Sequence, residues 1–110
     1  MKKSLIFICF AFISCNKIGN GSTTSIIRKS IKCEDCLVTK EETAVGIAES
    51  VLFETYGRDM IESERPYKVS IENDSIWRLE GTFWSVGFGG TFDISISAKD
   101  GRVVYITHYK

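Results

Sequence analysis

An α+β domain, one main N-terminal helix packed on a mainly antiparallel sheet of about four strands, is the fold class this 110-residue sequence predicts. Three observations carry it. One stretch of chain repeats its apolar residues at helical spacing, and every stretch that alternates apolar with polar residues follows later, after the only proline, Pro66. Two turn signals, Asn73-Asp74 and Asp100-Gly101, then cut that later half into hairpins. Strands gathered behind a helix favour α+β over the alternating units of a parallel sheet.

Taken in order, the chain opens with Met1-Lys2-Lys3-Ser4 and runs apolar from Leu5 to Ile13. A positive end before a run too short for a permanent span reads as a signal peptide over residues 1–14. The run ends in Phe12-Ile13-Ser14-Cys15, which resembles the lipobox of bacterial lipoproteins, with Phe12 where leucine is usual. Cleavage before Cys15 leaves its thiol to carry diacylglycerol. Palmitate-type chains contribute about 0.8 kcal/mol per buried CH₂, so a diacyl or triacyl cysteine holds a small domain on a membrane without a spanning helix. No other apolar run is long enough to span. Asn16 stands where an aspartate would retain a lipoprotein at the inner membrane, which in a Gram-negative cell favours the periplasmic side of the outer membrane.

Residues 15–37 are expected to form a lipidated flexible tether, because Asn16 to Lys32 is rich in Asn, Gly, Ser and Thr and has Ile26-Ile27 as its only adjacent apolar pair. The domain is expected over residues 38–110, a length that folds alone only with a well-filled core. These 73 residues carry eight bases and 12 acids, a net charge of −4. That excludes the basic face a nucleic-acid partner needs and is compatible with a basic protein partner.

Thr39-Lys40-Glu41-Glu42 has capping-box spacing, so a helix should start there. Ala44, Ile47, Ala48, Val51 and Leu52 then share one face, and Tyr56-Gly57 supplies the glycine for a left-handed end. Arg58–Arg65 can add a short turn or helix. Beyond Pro66, Tyr67, Val69 and Ile71 alternate with polar residues; after Asn73-Asp74, Trp77, Leu79, Gly81 and Phe83 do the same. Gly87-Phe88-Gly89-Gly90 interrupts the pattern, Phe92-Ile94-Ile96 resumes it, and Asp100-Gly101 turns the chain into Val103–His108. Trp77, Leu79, Gly81 and Phe83 are assigned to the core face of the second strand. Arg78, Glu80, Thr82 and Trp84 then face outward.

Of four cysteines, Cys9 leaves with the signal peptide and Cys15 is acylated. Cys33 and Cys36 remain, and an oxidising compartment favours a local disulfide between them. Unpaired thiols and a redox or metal role are the alternatives; the adjacent Glu34 and Asp35 oppose a lowered thiol pKa, and zinc would want two further ligands. His108 is the only histidine, and no serine or cysteine lies in a nucleophile motif, so its default role is structural and no catalytic residue is assigned. Gly87–Gly90 leads into a strand rather than a helix, which makes a turn of it and not a phosphate cradle. The acids Glu41, Glu42, Glu49, Glu54, Glu62 and Glu64 read as a solvated face. Nothing calls for a cofactor or a metal.

Residues 41–110 resemble the small immunity proteins of bacterial polymorphic toxin systems that have a nuclear-transport-factor-2-like, or cystatin-like, fold. The resemblance runs through Ala44, Ala48-Glu49, Tyr56-Gly57, Glu64-Arg65-Pro66-Tyr67, Trp77 with Gly81, Gly89-Gly90, Phe92-Ile94-Ile96, Asp100-Gly101-Arg102-Val103, and His108 with Lys110. The chain departs from it at Phe83-Trp84-Ser85, where a proline turn is usual, and at Tyr109, where glycine is common. These changes fall on the rim, so the partner surface does not carry over. The resemblance implies a domain that binds and neutralises a protein toxin, and it supplies no catalytic residues. A membrane-anchored immunity protein is therefore the leading expectation, with Arg78, Trp84 and Phe88 as candidate partner-binding residues. The rival is an envelope lipoprotein module that holds a small molecule or lipid in the concave face of its sheet, in a pocket lined by Trp77, Phe83, Phe92 and Tyr105. A third is an enzyme, marked by a cleft with His108 beside an acid of raised pKa.

Overall fold

The structure, a computed structural model, describes residues 28–84 and 89–110. The expected signal peptide, the expected lipidation site Cys15 and the candidate Phe88 are not part of the described residues. Among them, two helices, α1 (Glu41–Tyr56) and α2 (Arg58–Glu62), precede four strands: β1 (Lys68–Glu72), β2 (Ile76–Glu80), β3 (Phe92–Ser97) and β4 (Val103–His108). The strands form one antiparallel meander in the order β1-β2-β3-β4. The α+β class is thus the one the sequence predicts.

The helix does not begin through a capping box. Lys40 occupies the cap with no side-chain bond, because Thr39 is drawn into pairing with the preceding segment: its carbonyl accepts the Ile31 N–H at 2.9 Å, and Ser30 bridges Lys40. Glu41 is the first-turn acid that finds a donor, accepting the Lys29 N–H at 3.0 Å. At the other end Gly57 donates to the Phe53 carbonyl with φ +99° and ψ 139°, a positive-φ conformation that glycine makes inexpensive but not the left-handed one expected.

These same contacts move the domain boundary. Ile31 is buried, the Leu37 and Val38 N–H groups pair with the Lys99 and Ala98 carbonyls, and the Trp77 indole N–H reaches the Val38 carbonyl at 2.8 Å. Residues 29–37, assigned to the tether, are therefore held to the domain. Composition misses this because a single isoleucine in the right register is enough to dock the segment.

Ala44, Ala48 and Leu52 of α1 press on Trp77, Leu79, Phe92, Ile94 and Ile96, and all are fully buried. Small residues on the helix let it sit close to the large side chains of the sheet. The hairpin turns fall where the sequence places them. Asn73 and Asp74 take φ of +55° and +57°, and Gly101 takes φ +79°. A bulge opposite Ser95 adds one residue to β4.

Trp77, Leu79 and Gly81 face the core as assigned, but Phe83 does not: β2 ends at Glu80, and Phe83 is 44% exposed. The four-residue pocket built from Trp77, Phe83, Phe92 and Tyr105 is not assembled either. Trp77 and Phe92 are sealed under α1, while Tyr105 lies on the other face of the sheet, exposed.

Candidate functional site

The cleft of this protein is made by a split in its sheet. The Gly81 N–H still bonds the Phe92 carbonyl at 3.1 Å, but the next residues leave β3 for the segment that joins α2 to β1. The Thr82 N–H donates to the Glu64 carbonyl at 2.7 Å, the Thr82 hydroxyl to the Pro66 carbonyl at 2.5 Å, and the Trp84 indole N–H to the Arg65 carbonyl at 2.8 Å. Since β4 runs on to His108, a gap of about 640 Å³ opens between them, walled by Tyr56, Met60, Phe83, Trp84 and Tyr109. Glu64 and His108 form its floor.

Glu64 repairs the split. Where β2 departs, the Phe92 N–H would be left buried without a partner, and an orphaned buried donor costs about 1–3 kcal/mol. Glu64 Oε1 accepts that N–H at 2.9 Å. Its Oε2 lies 2.7 Å from His108 Nε2, and His108 Nδ1 lies 2.9 Å from the Tyr109 carbonyl oxygen. A carbonyl can only accept, so Nδ1 carries a hydrogen, and one proton sits between Nε2 and Oε2. Both ring nitrogens are engaged, which leaves neither directed at a ligand. Glu64 is only 6% exposed, so it is not part of the solvated acidic face in which its spacing put it. Gly81 is required here: a Cβ at that position would collide with Glu64 Oε1 and meet Phe92 Cδ2 at 3.0 Å. A Cβ at Gly90 would lie 2.6–2.7 Å from Tyr109 atoms.

Of the proposed partner residues, Trp84 is 67% exposed and lines the cleft. With its N–H spent on Arg65, the indole offers a ring surface. Arg78 does not join it. It lies on the opposite, helix-free face, where Nε and Nη2 grip the two carboxylate oxygens of buried Asp93 at 3.0 and 2.6 Å, with Glu72 at 3.3 Å. Hydrogen bonding to Asp93 holds its pKa above the ordinary arginine value. A second cluster links α1 to the start of β1. Glu49 Oε2 accepts from Arg65 Nη2 at 2.5 Å and the Tyr67 hydroxyl at 2.6 Å. Burial opposes the charged Glu49 carboxylate, but these bonds outweigh it and lower its pKa, while burial and the same carboxylate push Tyr67 up to about 12. Cys33 and Cys36 are joined by a disulfide that packs against the core, away from the cleft.

Comparison with known proteins adds one decisive match: the pattern of the NTF2 fold immunity protein family fits residues 43–110. The chain belongs to that family. A relative in Escherichia coli (strain K12), described as uncharacterized protein YhhH, is 37% identical over 75 residues, covering 67% of this chain and 58% of its own length. The chain thus spans less than two thirds of that relative. No solved structure matches.

In this immunity-family chain, Glu64 and His108, far apart in the string of positions that carries the resemblance, are the two residues that meet on the cleft floor. The sequence places both in the family pattern, Glu64 by spacing on a solvated face and His108 in a structural role, but it does not pair them. Their pairing spans 44 positions, and the one local signal was Gly81, a small residue inside an alternating strand.

Proposed function

We propose that this protein neutralises a bacterial protein toxin by seating part of it in the cleft, while the lipid on Cys15 holds the domain at the cell envelope, on the periplasmic side of the outer membrane in a Gram-negative cell. Family membership supports toxin neutralisation as the class of function. One observation supports the cleft as the place. Of seven large apolar side chains exposed among the described residues, four, namely Met60, Phe83, Trp84 and Tyr109, line this one gap. Such clustering marks interaction sites, whereas scattered single exposures do not. Interfaces draw most of their energy from a few aromatic anchors in such settings.

The test is co-expression. Each gene flanking this one is expressed alone and together with the chain, and a product that arrests growth only when alone is the toxin. Trp84→Ala should weaken its binding at least about 30-fold, the ~2 kcal/mol of a hot spot, with the fold retained. Unchanged protection by Trp84→Ala, Phe83→Ala and Met60→Ala together refutes the cleft as the site. For the anchor, Cys15→Ser should move the chain out of the membrane fraction, and normal retention refutes lipidation. A gap of about 640 Å³ is also of a size that takes a small apolar ligand, the second reading. It is favoured if a small molecule copurifies and no flanking product is neutralised.

A further inference from the structure

β4 is one of the two outer strands of the sheet, and among the described residues no strand pairs with its far side. The hydrogen bonds already made at its β3 side leave some of its backbone groups on offer. Phe92 spends its N–H on Glu64 and its carbonyl on Gly81, both on the β2 side, while the Tyr109 N–H bonds the Thr91 carbonyl at 3.0 Å. By antiparallel alternation, Tyr109, Thr107 and Tyr105 then turn toward β3, and Ile106 and His108 direct their backbone N–H and C=O outward.

Folded proteins usually blunt such edges with charge, and the two edges of this sheet differ in that respect. β1 begins and ends with exposed Lys68 and Glu72 and carries exposed Ser70 between them. β4 reads Val103-Val104-Tyr105-Ile106-Thr107-His108, with no lysine, arginine or carboxylate, and Val104 and Tyr105 are each 49% exposed. The cations lie just beyond it, Arg102 at one end and Lys110 at the other, both exposed. Asp100 approaches Arg102 only at 3.5 Å in an exposed pair, which leaves most of that charge unscreened. The His108 end opens onto the cleft, whose lining includes His108, Tyr109 and Lys110.

We infer that the partner binds by adding an extended strand to the outer edge of β4, an apolar segment with carboxylates near its ends, which then delivers a side chain into the cleft. The inference rests on the reading that the cleft seats a protein toxin. Main-chain bonds to Ile106 and His108 supply affinity, and the cleft supplies selectivity, the division of labour in strand addition. A second copy of this chain fits the edge less well. Antiparallel pairing of two β4 strands brings Arg102 of each toward the Lys110 end of the other, with like charges at both ends.

The probe is the flanking-gene product that the full chain neutralises. Val104→Lys puts a charge on the edge at an exposed bulge position, and Ser70→Lys on β1 is its control. Binding should fall at least about tenfold for the β4 variant and stay unchanged for the control, with both melting like the parent. Amide exchange at Ile106 and His108 should slow at least about tenfold in the complex. A product that needs Trp84 for binding but ignores Val104→Lys and leaves those two amides unprotected overturns the strand addition, while the cleft reading stands. Neutralisation of none of the products overturns both. If the free chain sediments as a dimer that Val104→Lys dissociates, a second copy occupies the edge and the inference fails.

Discussion

Replacing Glu64 in two ways separates its geometry from its charge. Glu64→Ala removes the acceptor of the buried Phe92 N–H, at about 1–3 kcal/mol. It also strips His108 of its partner and leaves a small void beneath the cleft, together worth roughly a further 1–2 kcal/mol. The total of about 2–5 kcal/mol corresponds, for a domain of this size, to a melting point at least about 8 °C lower. Glu64→Gln is nearly the same shape. Its carbonyl can take the Phe92 N–H, and its NH₂ can donate to His108 Nε2 while Nδ1–H keeps the Tyr109 carbonyl. Every group stays paired without a charge, so the cost should stay below about 1 kcal/mol. Thermal and denaturant unfolding of both variants decides the matter. If the glutamine variant unfolds as early as the alanine variant, the charge matters more than the hydrogen bonds, and the account of Glu64 as the repair of a split sheet is wrong.

Trp77→Ala should cost about 3–5 kcal/mol, since a fully buried indole and its bond to Val38 are lost together, whereas Trp84→Ala should stay within about 1 kcal/mol; equilibrium unfolding that ranks them the other way reverses the assignment of faces. Glu49 has a folded pKa below its ordinary 4.5, so its stabilisation is fully present above that pH and is lost as pH falls through the lower folded value. Glu49→Gln should therefore flatten the acid limb of the stability profile below about pH 4.5, and a limb identical to the parent's would exclude Glu49 as a contributor. Thiol labelling of the native protein should find neither Cys33 nor Cys36 free, and the paired serine variant should lose no more than about 2 kcal/mol, because so short a loop constrains the unfolded chain little.

What the sequence makes legible here is what depends on near neighbours. The period of Ala44, Ala48 and Leu52, the glycine at the end of α1, the left-handed pair Asn73-Asp74 and the alternation around Trp77 each act within a few residues, and each falls where it was read. The cleft depends on where a strand stops pairing. Nothing in Gly81-Thr82-Phe83-Trp84 announces that three consecutive carbonyls, those of Glu64, Arg65 and Pro66, will compete successfully with β3 for this segment. Alternation alone therefore carries Phe83 into the core, and spacing alone leaves Glu64 among the solvated acids. Parity alone makes Trp84 exposed. Arg78 shares that parity, but the parting of the strands after Gly81 takes Trp84 away from it.

The docking of Ile31 and Val38 on the sheet has a consequence for reach. Were the fold to begin at residue 38, the slack between Cys15 and the domain would be 23 peptide units, at most about 80 Å. With Lys29 already bonded to Glu41, it is 14 units, at most about 50 Å. If Cys15 is held at a bilayer as proposed, the domain can reach no farther than a hemisphere of about 0.6 the radius, about a quarter of the volume, and so meets whatever crosses that surface at several times the local concentration.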